Sequence, residues 1–465
     1  MTDNDTTSSG SPAERQRDDY SLGRVPPAAR YHWFSIATQR FGMLSSLASF
    51  LIGATLGFGM SFRDAVLAIT LGAVILEVLS VFTGIAGQRE GLSTSVLARW
   101  TGFGRSGSAL VGLAISISAI GWFGVQNQVS AEGLALLVGS QPVWFWAVVA
   151  GVATTVIVTF GIASMAWTAY VTVPAFLLLA GWSIISELSR HSFGDLLNAQ
   201  PAGPALSLVQ GTTIVAGGFI VGAVVTPDMS RYNRSVADVV KQTFVGITLG
   251  EYVIGLTGVL LALALRTNDV IAIVTSTSGF IGTIVIIAAT LKINDWNLYA
   301  ASLGVVNFVD QVFGRRINRS IATVVIGLLG TALGAAGILN SFVSFLTLLG
   351  VVFPPVAGIM VAEYFVARTW RRDLEASGAS GALPASAPTW VPAGLAAWII
   401  AGLFGHYVDW GIPSVNSVLV AMAVYLIASR LGLVRGVGSS STRADAPAAR
   451  KLVAGPAERP VPLAD

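Results

Sequence analysis

Long apolar runs alternate with short polar breaks along this chain. The runs fall at 41–60, 65–87, 108–137, 143–165, 169–187, 206–226, 242–265, 270–300, 320–339, 341–367, 389–405 and 414–434. Most approach or exceed the roughly 20 residues a helix needs to cross hydrocarbon. Runs of that length are too long for strands, and in lipid each backbone N–H must be satisfied within its own segment. The pattern therefore predicts an all-α integral membrane protein with about 12 transmembrane helices in one domain, 41–434. The polar flank 1–40 is rich in Ser, Asp and Arg and is expected to be a disordered cytoplasmic N-terminus. No short apolar core follows a basic start, so it does not read as a signal peptide. The tail 435–465, rich in Ala, Pro, Ser and Arg, is expected to be a disordered cytoplasmic C-terminus.

Basic residues set the orientation. Arg15, Arg17, Arg24, Arg30 and Arg40 precede the first run, and Arg89, Arg99 and Arg105 follow the second. Arg231, Arg234 and Lys241, then Arg315, Arg316 and Arg319, then Arg368, Arg371 and Arg372 fall in further even-numbered connections. The opposite connections hold little beyond Arg63, Arg190 and Arg266. Both termini are thus expected inside, in a multi-pass protein of the inner (plasma) membrane.

Two runs look breakable. The first carries Ser45, Ser46 and Ser49, then Gly53, Gly57 and Gly59. The sixth carries Gly211, Gly217, Gly218 and Gly222 and ends at Thr226-Pro227-Asp228. Broken helices at matching positions are what two inverted five-helix repeats give, here 41–187 and 206–367, with two more helices at 389–434. Close packing through small residues is the competing explanation.

Polar groups inside the runs mark candidate chemistry. In the third, Gly121-Trp122-Phe123-Gly124 leads into Gln126-Asn127-Gln128. Trp122 and Gln126 are four apart and share a helix face, so a flat apolar plate lies beside an amide. That pairing suits a flat polar ring, whereas amides bonded between helices would be the structural alternative. In the eighth run, Lys292 and Asp295 are three apart and placed to pair, and Asn294 and Asn297 form a second polar stripe. A charge in mid-membrane calls for a partner or a purpose. Glu77 and Glu251 are isolated acids in the second and seventh runs, either proton carriers or hydrogen-bonded to a neighbouring helix.

Composition excludes several classes. The chain is 54% hydrophobic and 11% charged, with a net charge of +3 and a mean hydropathy of +0.72. No basic block interleaved with aromatics points to nucleic acid. There are no cysteines and three scattered histidines (His32, His191, His406), so neither thiolate chemistry nor a histidine metal centre is expected. No nucleophile–base spacing suggests an enzyme.

Several blocks, in order, resemble the nucleobase:cation symporter-1 family, most closely its bacterial cytosine permease branch, over roughly Ser35 to Leu433. They are 55–61 (TLGFGMS), 91–99 (GLSTSVLAR), 121–124 (GWFG) and 218–220 (GFI), then Asn294-Asp295 with Leu298-Tyr299-Ala300, and 353–358 (FPPVAG). The resemblance implies the inverted-repeat fold of sodium-coupled transporters and alternating access. It implies that Trp122 and Phe219 sandwich a substrate ring and that Asn294 lies near it. Gln126 matches an amide that bonds substrate in a hydantoin-transporting relative, where the cytosine branch has glycine; Asn297 lies next to a further amide position. Sodium-coupled members use two adjacent hydroxyl residues on the eighth helix, and Lys292 and Ile293 stand there instead. An isoleucine side chain cannot ligate sodium and an ammonium repels it, so the expected coupling ion is the proton, with Lys292 and Asp295 as coupling residues if the lysine loses its proton in one state; a lysine charged throughout would make the protein a uniporter or place coupling elsewhere.

The sequence therefore reads as a permease importing a nucleobase, cytosine or a related pyrimidine or purine. The alternative is another nitrogen heterocycle such as hydantoin, allantoin, uracil or a vitamin-like ring. The expected partners are this small molecule and the lipid bilayer. No cofactor, metal, nucleic acid or protein partner is expected.

Overall fold

Apolar sequence with serine, asparagine and aspartate at its polar edges folds as capped helices. The computed structural model describes residues 20, 23–139, 141–160, 165–190 and 192–442; the disorder expected for 1–19, 21–22 and 443–465 lies outside the described residues. We label the helices α1 (Trp33–Leu44 and Leu47–Gly59), α2 (Phe62–Glu90), α3 (Gly104–Val138), α4 (Val143–Phe160), α5 (Met165–Arg190) and α6 (Leu208–Val224). After them come α7 (Val236–Leu265), α8 (Val270–Phe313), α9 (Arg319–Ala335), α10 (Ile338–Ala367), α11 (Pro392–Tyr407) and α12 (Pro413–Arg430). Among the described residues six helices are individually long and apolar enough to cross a bilayer, and seven when bent α1 counts as one span.

The ends follow the capping chemistry of their residues. Ser207 and Gln210 cap α6 reciprocally, the Gln210 N–H donating to Ser207 Oγ at 3.2 Å and the Ser207 N–H to Gln210 Oε1 at 2.9 Å. Asp269 opens α8 by accepting the Ala272 N–H at 3.0 Å, and Gly314, at φ 65°, closes it in the left-handed conformation.

The expected break in the first run is present, whereas the glycines of the sixth lie within a continuous helix, where Gly217 lets the α10 backbone approach closely. α1 bends by 56° at Ser45–Ser46, and α6 stops at Val224 before a short helix, Thr226–Ser230. Pro227 has no N–H to give the Ala223 carbonyl, which is why α6 cannot continue there. α8 extends well beyond the predicted 300 and carries a kink at Gly279 (φ 59°).

α8 runs along α3, α6 along α2 and α10, α9 along α4, and α7 along α1. The α1–α7 seam depends on glycine: a Cβ on Gly258 would stand 2.5 Å from the Phe50 carbonyl oxygen. Large apolar side chains such as Ile281, Leu178, Ile321 and Trp410 face outward, as a lipid-facing surface requires.

Two expectations are corrected. Within the stretch read as a disordered N-terminus, Gly23–Arg40 is placed on the fold. The Tyr31 N–H donates to the Tyr232 carbonyl at 2.7 Å and the Val25 N–H to Gly91 at 2.8 Å. Arg24 is the anchor. Its Nη1 lies 2.7 Å from a Glu90 carboxylate oxygen, its Nη2 donates to the Leu374 carbonyl at 2.8 Å, and its Nε donates to the Ala382 carbonyl at 2.9 Å. Specific partners hold this polar arm where composition alone predicted none. At the other end, Val437–Ser441, expected to be disordered, is a strand paired antiparallel with Ser386–Trp390, which takes up the first residues of the predicted 389–405 helix. The Trp100 indole N–H anchors the pair on the Ser386 carbonyl at 3.2 Å.

Candidate functional site

α3 supplies the centre. Trp122 is half-buried, its indole set edge-on to Phe345 and Phe342 of α10 at centroid distances of 5.4 and 6.1 Å. One turn on, Gln126 is 2% exposed and its Oε1 has no hydrogen-bond partner among the described residues. A buried amide oxygen in that condition is costly and rare, and it stands ready for a donor. The neighbouring amides are committed to structure. Asn127 Nδ2 donates to the Ala147 carbonyl of α4 at 2.8 Å, and Gln128 accepts the Leu339 N–H at 2.8 Å. Interhelical bonding thus accounts for Gln128 and for the Asn127 amide N–H, whereas the side-chain oxygens of Gln126 and Asn127 are both left open among the described residues.

Phe219 of α6 is half-buried and packs against the same apolar cluster as Trp122 and Phe345. Its ring fills the space above Gly222, where a Cβ would stand 2.5 Å from Phe219 Cζ. Below the site, Thr94 donates its N–H to Asp228 at 2.7 Å. Burial pushes the Asp228 carboxyl up, the Thr94 N–H and the Arg231 charge opposing it.

α8 approaches from the other side. Asn294 is buried and donates Nδ2 to the Phe123 carbonyl at 3.1 Å, directly beside Trp122; Asn297 donates to Asn294 Oδ1 at 3.3 Å. The asparagines therefore join α8 to α3. Lys292 Nζ lies 4.0 Å from Asp295 Oδ2 on the same helix, with both side chains largely but not wholly buried.

A cavity of about 410 Å³ lies between α1, α3, α8 and α10. Thr55, Glu132, Asp269 and Asn340 give it a polar lining, and Phe342 belongs both to its wall and to the Trp122 contact. Sequence reasoning missed Phe342 and Phe345, which are unmarked in an apolar run. It also missed the burial of Arg40, counted there among the cytoplasmic charges; Arg40 is 1% exposed. Glu77, left open by the sequence, accepts the Thr243 hydroxyl hydrogen at 2.6 Å, and Glu251 is buried in a π-helical turn of α7.

The family profile described as "Permease for cytosine/purines, uracil, thiamine, allantoin" matches residues 25–432. The cytosine permease of Escherichia coli (strain K12) is 30% identical over 413 residues, covering 89% of this chain and 94% of that one. The hydantoin permease of Microbacterium maritypicum is 27% identical over 367 residues, 73% of this chain and 74% of that one. Mhp1 in its inward-facing conformation superposes with a TM-score of 0.75 at 19% identity, over 94% of this chain and 100% of that one. Closed Mhp1 with bromovinylhydantoin bound gives 0.67 at 22% identity, over 88% and 95%. At those identities the structural matches speak for the fold.

Proposed function

The chain belongs to the family of permeases for cytosine/purines, uracil, thiamine and allantoin, and from that premise we propose that it imports a small flat nitrogen heterocycle, cytosine or a related base first, by alternating access. It is a multi-pass membrane transporter and not an enzyme. In our reading twelve spans form two inverted repeats and a C-terminal pair in the inner membrane, with both termini cytoplasmic.

One observation carries the substrate reading: the half-buried Trp122 plate one turn from the unpartnered Gln126 Oε1. A ring stacked on the indole would present an N–H to that oxygen, with Phe219 closing the opposite face. Stacking is worth about 1–3 kcal/mol per base and tolerates many rings. The amide then selects, because a ring without a donor there leaves the acceptor buried and unpaired. Asn294 and Asn297 hold α8 beside this place and contribute hydrogen-bonding edges when α3 and α8 shift.

Coupling is assigned to the proton. The Ile293 side chain offers no oxygen to sodium, whereas Lys292 and Asp295 together can take up a proton outside and release it inside, returning to their starting charge. Uptake of radiolabelled cytosine into proteoliposomes, with sodium and proton gradients imposed separately, tests both parts. Stimulation by the proton gradient alone, lost in Lys292→Ala, is the expected result; stimulation by sodium overturns the coupling assignment. The second reading, a hydantoin-like or other ring, is favoured by Gln126 and by the hydantoin permease relative. Competition by hydantoin, allantoin or uracil stronger than by unlabelled cytosine would select it.

A further inference from the structure

Arg40 sits where an arginine is expensive. It lies 1% exposed in the first half of α1, about one turn before the Ser45–Ser46 bend, with helix α7 so close that a Cβ on Gly246 would be 2.6 Å from Arg40 Cβ. Its Nη2 donates to the Gly222 carbonyl at 3.0 Å and to Thr226 Oγ1 at 2.6 Å, and its Nη1 points to Gln242 Oε1 at 3.5 Å. The acid whose charge acts on it is Glu77 of α2.

The position makes sense from the α6 side. The last carbonyls of a helix lack intrahelical donors and form the negative end of its dipole. At this end Pro227 removes one donor outright. The Thr226 hydroxyl donates to Ala223 at 2.8 Å and the Thr83 hydroxyl reaches the same carbonyl from α2 at 3.2 Å. Arg40 adds a cation and two hydrogen bonds from α1. The turn it holds, Gly222–Thr226, is the turn on which the Phe219 ring lies.

We propose that Arg40 is a positioning residue for the substrate ring: through the Gly222 carbonyl and the Thr226 hydroxyl it fixes the last turn of α6, on which Phe219 lies. It acts from α1, without touching substrate, so the aromatic face of the site is set by the neighbouring broken helix. The inference rests on the reading that Phe219 faces the substrate.

A double-mutant cycle on the purified full-length protein tests it. The probe is whichever of cytosine, uracil, adenine, hydantoin, allantoin and thiamine most raises the wild-type melting temperature. Arg40→Met and Phe219→Ala are each expected to weaken its binding about tenfold, and the double variant to bind no worse than Phe219→Ala. Arg40→Lys, which keeps a cation able to reach Gly222, should recover a good part of the loss. Additive losses in the double variant overturn the proposal and leave Arg40 a purely structural cap. Wild-type affinity in Phe219→Ala overturns the substrate reading itself, and this inference with it. Should Arg40→Met fail to fold, Thr226→Val takes its place in the cycle under the same criterion, because it removes one acceptor and keeps the buried cation bonded to Gly222.

Discussion

The ring of Phe219 occupies the volume that a side chain on Gly222 would need, with Cζ 2.5 Å from the Cβ position. Gly222→Ala must therefore turn the ring away. Overpacking of this kind costs about 1–3 kcal/mol, while alanine returns up to about 1 kcal/mol of helix propensity. We expect a melting temperature close to wild type and a KM for uptake raised about tenfold. An unchanged KM would show that the Phe219 ring is not part of the site.

Gln126 separates stability from binding. Its Oε1 has no partner to lose, so Gln126→Leu removes a buried unpaired acceptor and should leave stability unchanged or raise it by about 1 kcal/mol. Ring binding should fall tenfold or more, by about 1.4 kcal/mol. Thermal unfolding and equilibrium binding on the same sample check the pair of outcomes. A stability loss without a binding loss would mean that the amide is structural.

Glu90 takes the Tyr364 hydroxyl hydrogen at 2.7 Å on one oxygen and Arg24 at 2.7 Å on the other. Arg24→Ala leaves that acid without its cation, a loss of about 3 kcal/mol for a pair this sheltered. Glu90→Gln should be milder, since the amide oxygen still accepts one hydrogen bond. Arg24→Lys should recover little, because one ammonium cannot reproduce a fork that serves the Glu90, Leu374 and Ala382 oxygens at once. Melting temperatures in detergent rank the three variants; equal values for Arg24→Lys and wild type would refute the multidentate role.

Asp228 predicts a pH effect of definite sign. Its carboxyl titrates above the ordinary 3.8 in the folded protein because it is buried, so the folded state holds its proton more tightly than the unfolded chain. Stability from this group is then greatest below 3.8 and declines as pH rises through the raised folded value, after which it is constant. Asp228→Asn should remove that decline. The check is the difference in melting temperature between wild type and variant across mildly acid pH; a constant difference would contradict the burial argument.

Much of this was legible in the chain because it is local. Apolar run length makes a helix without reference to any other helix, and Ser45-Ser46 and Pro227 weaken their own backbones whatever surrounds them. Trp122 and Gln126 are likewise neighbours by spacing alone. What escaped depends on partners far along the chain. Arg40 counts as one more basic residue beside a run, because its acceptors at Gly222 and Thr226 belong to another helix. Phe342 and Phe345 are two among many apolar residues until α10 turns them toward Trp122. The 386–390 and 437–441 strands exist only because two separated loops meet. The amides show the same boundary: sequence identified Gln126, Asn127 and Gln128 as one polar group, and only packing shows that Asn127 and Gln128 each bond another helix while the side-chain oxygens of Gln126 and Asn127 stay open.

The anchoring of Arg24 also bears on biogenesis. Its Ala382 acceptor lies 358 positions further along the chain. During synthesis the arm emerges first and meets Glu90 and Gly91 early, yet its bonds to Leu374 and Ala382 must wait until most of the protein has been made, and contacts of such separation form late. The last of the Arg24 bonds therefore close late in assembly. A chain stopped before residue 382 would lack one of the carbonyls that hold Arg24, and Gly23–Arg40 in it should be more open to proteases than in the finished protein.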